Sequence, residues 1–296
     1  MKIVSSFVIS ILIASCNRIS SNRNEHFISL RLASSNYKTI GEIALPWGYK
    51  RVVEERNSFG NWLRTINLKQ DPRIYLFNGR LRDDQSTHFA VLDIPVGTKN
   101  LQQCADAIMR LRAEYFFSCD KIDSICFKST DGTELSFAKW MKGDRYRLMG
   151  TRLTTYNSRS SGGNKRQQLD QFLEIVFSYC GTISLDRELD PVNDLSNLKT
   201  GDIFIKPGSP GHAMIVMDVA INNKGEKIFL LAQGFMPAQS IHIVKNLSDE
   251  TMNPWYRVDD GLKIITPRWI FYRSQLKRWR LSSSFLPIQL IKLTFS

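Results

Sequence analysis

The chain has 296 residues, 43% of them hydrophobic and 11% aromatic, enough to build a sizeable core and too apolar for a disordered or low-complexity protein. Its formal net charge is +12, and the cations Lys2, Lys277, Arg278, Arg280 and Lys292 near its two ends have no acid beside them in the sequence. A basic balance of this size suits an anionic envelope of phospholipid headgroups or wall polymer; no nucleic-acid-binding motif accompanies it, so nucleic acid is not an expected partner.

Residues 1–16 read as an address. Lys2 precedes a mostly apolar stretch over 3–13 that is too short to span a bilayer. The run Ile13-Ala14-Ser15-Cys16 resembles a bacterial lipobox, in which small residues before a cysteine permit cleavage and lipid attachment. On that reading Cys16 carries the lipid and the mature protein is exported and lipid-anchored in the cell envelope. Asn17 follows the cysteine in place of an acidic residue, which favours the outer membrane. The competing reading is an ordinary signal peptide with a cysteine nearby by chance. Residues 17–40, rich in Ser, Asn and Arg, read as a flexible tether.

Residues 41–280 are expected to form one α+β domain. A helix is predicted from Asn57 to Ile66, and strands over 73–77 and 88–94 flank the Asn78-Gly79 turn. Residues 101–117 have strong helical periodicity, with Cys104, Ile108, Leu111 and Tyr115 on one face. A strand over 125–128 precedes the basic run 144–152, and the Ser/Gly-rich loop 157–165 marks a subdivision point. A second helix over 168–179 buries Phe172, Ile175, Val176 and Tyr179. Two β-type runs then follow, 203–205 and 213–219, joined by a Pro/Gly-rich turn that ends on His212. A further β run from Ile228 breaks at Gly234 just after Gln233, and 242–244 closes the series. Residues 281–296 form an apolar tail with no partner segment.

Five cysteines are present: Cys16, Cys104, Cys119, Cys126 and Cys180. Their spacing is not that of a metal site, and neither a metal nor a cofactor is expected. Three pairings of the last four are formally open. Cys104 opens a helix, where backbone N–H groups and the positive dipole end favour a thiolate. His212 at a strand start would act as base, and Gln233 would hold the far imidazole nitrogen. Gln102 and Gln103 are candidate oxyanion donors. Each has a structural alternative: Cys104 as a small core residue, His212 as a turn residue bonded to backbone, Gln233 as a buried amide. His88 and His242 read as half-exposed strand residues, Asp202 as a turn-former, and Arg110, Arg112 and Glu114 as a solvated face.

Gly201-Asp202-Ile203-Phe204, the segment from His212 to Val216 and the pair Gln103-Cys104 resemble the papain-like wall amidases of the NlpC and CHAP type. The resemblance implies an α+β, papain-like fold, with an N-terminal helix packed on a small antiparallel sheet. In the NlpC group the nucleophile opens the helix directly before the Gly-Asp turn; here that helix, 168–179, starts with no cysteine and has Cys180 at its far end. A narrower resemblance is to an uncharacterised family of Bacteroides-type lipoproteins, a domain of unknown function. It rests on Leu101-Gln102-Gln103-Cys104-Ala105-Asp106-Ala107, Arg110-Leu111-Arg112-Ala113-Glu114-Tyr115, Gly208-Ser209-Pro210-Gly211-His212-Ala213 and Met236-Pro237-Ala238-Gln239, and it covers residues 43–277. The expected function is that of a lipid-anchored envelope protein of unassigned activity, with a papain-like cysteine amidase or peptidase acting on cell-wall peptide as the candidate reaction and outer-membrane lipid and peptidoglycan peptide as candidate partners. The alternative is a catalytically inactive binding or scaffold lipoprotein.

Overall fold

A computed structural model describes residues 37–158, 162–257 and 263–280. The expected signal segment 1–16, most of the tether, part of the 157–165 loop and the tail from 281 lie outside the described residues. In chain order the elements begin with β1 (Tyr49–Arg51), α1 (Phe59–Thr65), β2 (His88–Val91), α2 (Cys104–Ser118), β3 (Cys126–Lys128) and β4 (Glu134–Ser136). Then come α3 (Phe137–Met141), β5 (Asp144–Met149), β6 (Arg152–Asn157), α4 (Lys165–Tyr179), α5 (Thr182–Arg187) and β7 (Leu189–Pro191). The last third is almost all strand: β8 (Ile203–Lys206), β9 (His212–Asn222), β10 (Lys227–Gln233), β11 (His242–Val244), β12 (Tyr256–Arg257), β13 (Lys263–Ile265), β14 (Ile270–Tyr272) and β15 (Leu276–Trp279).

Nine of these strands form one antiparallel sheet, in the order β2-β11-β10-β9-β8-β15-β7, with β1 also pairing β9 and β12 also pairing β10. The expected α+β, papain-like arrangement of a helix on a small sheet is therefore not the one adopted; the protein is mostly β and organised on this large sheet. The physical reason lies in β9. Residues 212–220 are all buried, so the strand needs cover on both faces and neighbours on both edges. Its edge neighbours are β10 on one side and β8 and β1 on the other, and separate apolar clusters cover its two faces.

The two faces can be followed along β9. Ala213, Ile215 and Met217 join one apolar cluster with α2 and α4, while Met214 and Val216 join a second with Phe204, Phe229 and Phe271. The register against β10 then slips: Leu230 faces Asp218 but Leu231 faces Val216. This β-bulge reverses the alternation, so that Val219 falls in the second cluster and Ala220 in the first. Asp218, fully buried, accepts from Arg51 Nε at 2.7 Å and Arg64 Nε at 2.6 Å, which ties β1 and α1 to the central strand.

Three of the cations that lacked sequence neighbours, all among the described residues, find partners in space. Lys277 pairs with Asp186, Arg278 with Asp202 and Arg280 with Asp190, which fastens β15 to α5, β7 and the turn before β8. Asp202 is thus both a turn residue, accepting from Lys199 N, and a buried ion-pair partner. The supposed solvated face of α2 is a second departure: Arg110 is buried and bonded to Glu114 at 2.6 Å, and Arg112 lies over the rings of Phe59 and Phe116.

Candidate functional site

Cys104 is the first residue of α2, a fifteen-residue helix. The helix start is set by Gln103, whose backbone N–H is accepted by the Asp106 carboxylate at 3.0 Å; an acid here also suits the positive end of the helix. Cys104 is half-buried, while Ile108, Leu111 and Tyr115 on the same face are buried. Cys104, Cys119, Cys126 and Cys180 are all free thiols. Burial pushes the Cys104 thiol up, and the nearby Asp106 charge adds to this; the backbone N–H groups of Ala105, Ala213 and Cys104 act in the opposite sense.

Ala213 is the residue after His212, so the sulfur lies against the start of β9. The turn before it is tight: a side chain at Gly211 would run into the Gly208 carbonyl oxygen and the Thr182 hydroxyl. His212 is buried, with its ring stacked at 5.8 Å on Phe271 and packed against Trp269 and Phe235 at 5.2 and 5.3 Å. Burial lowers its pKa from 6.5 to about 4, against a smaller opposing effect of Gln233. The ring is thus neutral at neutral pH, the form a base requires.

The structure brings His212 and Gln233 together, with 2.7 Å between Nε2 and Oε1. Gln233 ends β10, and beyond it Gly234 lies against Gln103 and Ala107 of α2. Among the described residues no hydrogen bond joins Cys104 Sγ to His212, and Nδ1 of His212 has no hydrogen-bond partner. Gln103 caps the helix through its backbone. Gln102 is fully buried; its Oε1 accepts from Arg110 Nη1 at 3.5 Å and its Nε2 has no partner. That amide is a donor without an acceptor two residues before Cys104. A cavity of about 760 Å³ is lined by Gln102, Leu101, Arg110 and Arg166, but by neither Cys104 nor His212.

Two residues at this site carry more than their sequence suggested. His242 on β11 is fully buried, not half-exposed, and faces Gln233 across the ladder. Its Nε2 lies 3.1 Å from Gln233 Nε2 and its Nδ1 lies 2.8 Å from the Ser240 carbonyl oxygen. Burial lowers its pKa to about 3. The signal was available: Ile241 and Ile243 flank it, and a histidine inside an uninterrupted apolar run is buried on either face. Asp106 is the other, with its pKa pushed up to about 8 by burial and its Oδ1 unpartnered. His88 is also buried, with Nε2 2.6 Å from the Pro72 carbonyl oxygen.

Among the described residues there is no group of three His, Cys, Asp or Glu that could hold a metal ion, and no helix long and apolar enough to cross a membrane.

The protein is mainly β, with the Cys104 thiol against the backbone at the start of β9 and the His212 imidazole bonded to the Gln233 amide on the face of the sheet that carries the second apolar cluster. The family model described as Domain of unknown function (4846) matches residues 40–278, and the chain belongs to that family. No curated protein and no solved structure matches it.

Proposed function

We propose that this protein is a thiol-dependent hydrolase or acyltransferase of amide bonds, with Cys104 as nucleophile, His212 as base and Gln233 as the residue that orients the imidazole. The observation that carries the reading is a half-buried, unbridged cysteine that opens a long helix with its sulfur against the Ala213 backbone N–H, next in sequence to a neutral histidine held by an amide. In this scheme Nδ1 of His212 takes the thiol proton and the sulfur attacks the carbonyl carbon. The C–N bond then breaks, the amine leaves with the proton returned by the imidazolium, and a thioester remains. Water, deprotonated by the same imidazole, releases the acid and the free thiol. The backbone N–H of Cys104 and the Gln102 amide would hold the developing oxyanion, with Gln103 contributing through its place at the helix start.

The resting site would be a neutral thiol beside a neutral imidazole rather than a preformed ion pair, since burial raises the one pKa and lowers the other. Proton transfer would then occur as substrate displaces water. We take the substrate class to be peptide of the cell wall and the location to be the envelope, with Cys16 as the lipid-bearing residue of a Bacteroides-type lipoprotein. The charge of +12 supports a polyanionic surrounding.

The test is the rate of Cys104 alkylation across pH, followed by mass spectrometry, in the wild type and His212→Ala. A rate that falls when the imidazole is removed supports a coupled pair and justifies assays on wall peptides. A Cys104 that reacts equally in both, or not at all while folded, makes the protein a binding or scaffold member instead.

A further inference from the structure

His212, Gln233 and His242 sit on three neighbouring strands and face the same side of the sheet as the second apolar cluster. Their hydrogen bonds run in one direction only. A carbonyl oxygen can accept but never donate, so the 2.8 Å contact between Ser240 O and His242 Nδ1 puts a proton on Nδ1. A neutral ring carries one N–H, so Nε2 of His242 has the lone pair and must accept from Gln233 Nε2, 3.1 Å away. That contact fixes which end of the amide faces which ring. Oε1 is left toward His212 and accepts from its Nε2 at 2.7 Å. The lone pair of His212 is thereby placed on Nδ1, the nitrogen with no partner among the described residues. A flipped Gln233 would oppose Oε1 to the lone pair of His242 and present N–H to His212, which would reverse the tautomer of the base.

The anchor of this chain is itself built in. Ser240 N donates to the Tyr75 carbonyl at 3.0 Å, and Leu76 pairs with Gln239, so the carbonyl that starts the sequence is held by a second segment. All three side chains are buried, where a hydrogen bond is stronger than in water.

We infer that His242 is a positioning residue: with the Ser240 carbonyl and Gln233 it forms a one-way hydrogen-bond chain that keeps the proton of His212 on Nε2 and its lone pair on Nδ1. The catalytic use of that lone pair rests on the thiol reading above; the placement of the proton does not.

The experiment is nitrogen NMR of the histidine rings in the full protein near neutral pH, with each ring assigned by single substitution. The expected result is a protonated Nδ1 and bare Nε2 for His242, and the opposite pattern for His212. A protonated Nδ1 on His212, or a shift averaged between the two forms in either ring, would overturn the inference without reference to activity. The substitution His242→Asn replaces the imposed acceptor with an amide that can turn either way. In a folded variant the His212 shifts should move toward the averaged values and the Cys104 alkylation rate should drop by about tenfold, within the ~10²–10⁴ that a base contributes. Unchanged His212 shifts in that variant would refute the role of His242. If the tautomers stand as expected but His212→Ala leaves Cys104 alkylation untouched, the chain is right and the hydrolase reading is wrong.

Discussion

A Cβ on Gly234 would lie 2.6 Å from the carbonyl oxygen of Gln103 and 3.0 Å from Cβ of Ala107. Only a residue without a side chain allows the end of β10 to come this close to the start of α2, and this approach sets Gln233 beside the helix that presents Cys104. Gly234→Ala must push strand and helix apart, and overpacking of this kind costs about 1–3 kcal/mol. Denaturant unfolding should show that loss, and the residual dependence of Cys104 alkylation on His212 should weaken in the folded variant. A variant with wild-type stability and alkylation would show that the contact does not position the cysteine.

Asp218 gives a second prediction. It is fully buried at the bulge of β9 and bonded to both Arg51 and Arg64. Asp218→Ala leaves two guanidinium groups, both mostly buried, facing an apolar strand, and breaking such a pair typically costs about 3–5 kcal/mol. Urea unfolding measures it, and Arg51→Met alone should cost less, because Arg64 then retains its partner. Equal losses in the two variants would mean that Arg51 alone carries the cluster.

Much of this could be read from the sequence, and the failures have physical causes. The existence of α2 follows from periodicity, although the pattern starts it at Leu101 and the helix begins at Cys104, and the His212 strand follows from its apolar run after a Gly/Pro turn. The size of the sheet does not, because β1, β7, β12 and β15 have only two to four residues each, too few to show an alternation, and their partners are distant in sequence. The acid inside the run Met217-Asp218-Val219 was a legible sign of buried cations, though not of which ones. Arg110 and Glu114 looked solvated because a charged pair at helical spacing usually is; here α4 covers it, and Arg166 bonds Glu114 from that side at 2.6 Å. His242 reads from sequence as a half-exposed strand residue; its bond to Gln233 is set by β10, the strand that lies beside it.

Asp106 separates stability from reactivity. Its folded pKa of about 8 lies above the ordinary 3.8, so its contribution is fully present below 3.8 and is lost as pH rises through 8. Asp106→Asn can keep the bond to the Gln103 N–H while removing that titration, so its stability relative to wild type should improve steadily from acid toward pH 8. The same substitution removes the charge that raises the Cys104 thiol. Alkylation of Cys104 should therefore accelerate about three- to tenfold above pH 8, and hardly at all below it, where the carboxyl is already neutral. An acceleration equal at all pH values would point to loosened packing instead.

The acid side tests the imidazoles. The folded pKa of His212 is depressed from 6.5 to about 4, so the stability it confers is present above 6.5 and is lost as pH falls toward 4, on the order of 3 kcal/mol in all. Asp106 works in the opposite sense over the same range, so the wild-type curve alone does not isolate the histidine. The difference between wild type and His212→Asn does, because Asn cannot be protonated. Wild type should lead the variant most at neutral pH, and that lead should shrink progressively between pH 6.5 and 4. The window ends where the exposed carboxylates begin to act: Asp71 and Asp84, held well below the usual range by hydrogen bonds from Arg73 and Ser86 respectively, lose their contribution only as pH drops below 3.8. Denaturant unfolding at intervals across the acid range resolves the two stages. A constant lead from pH 7 to 4 would mean that His212 is hydrated well enough to charge freely, so that burial does not hold its pKa below the ordinary 6.5.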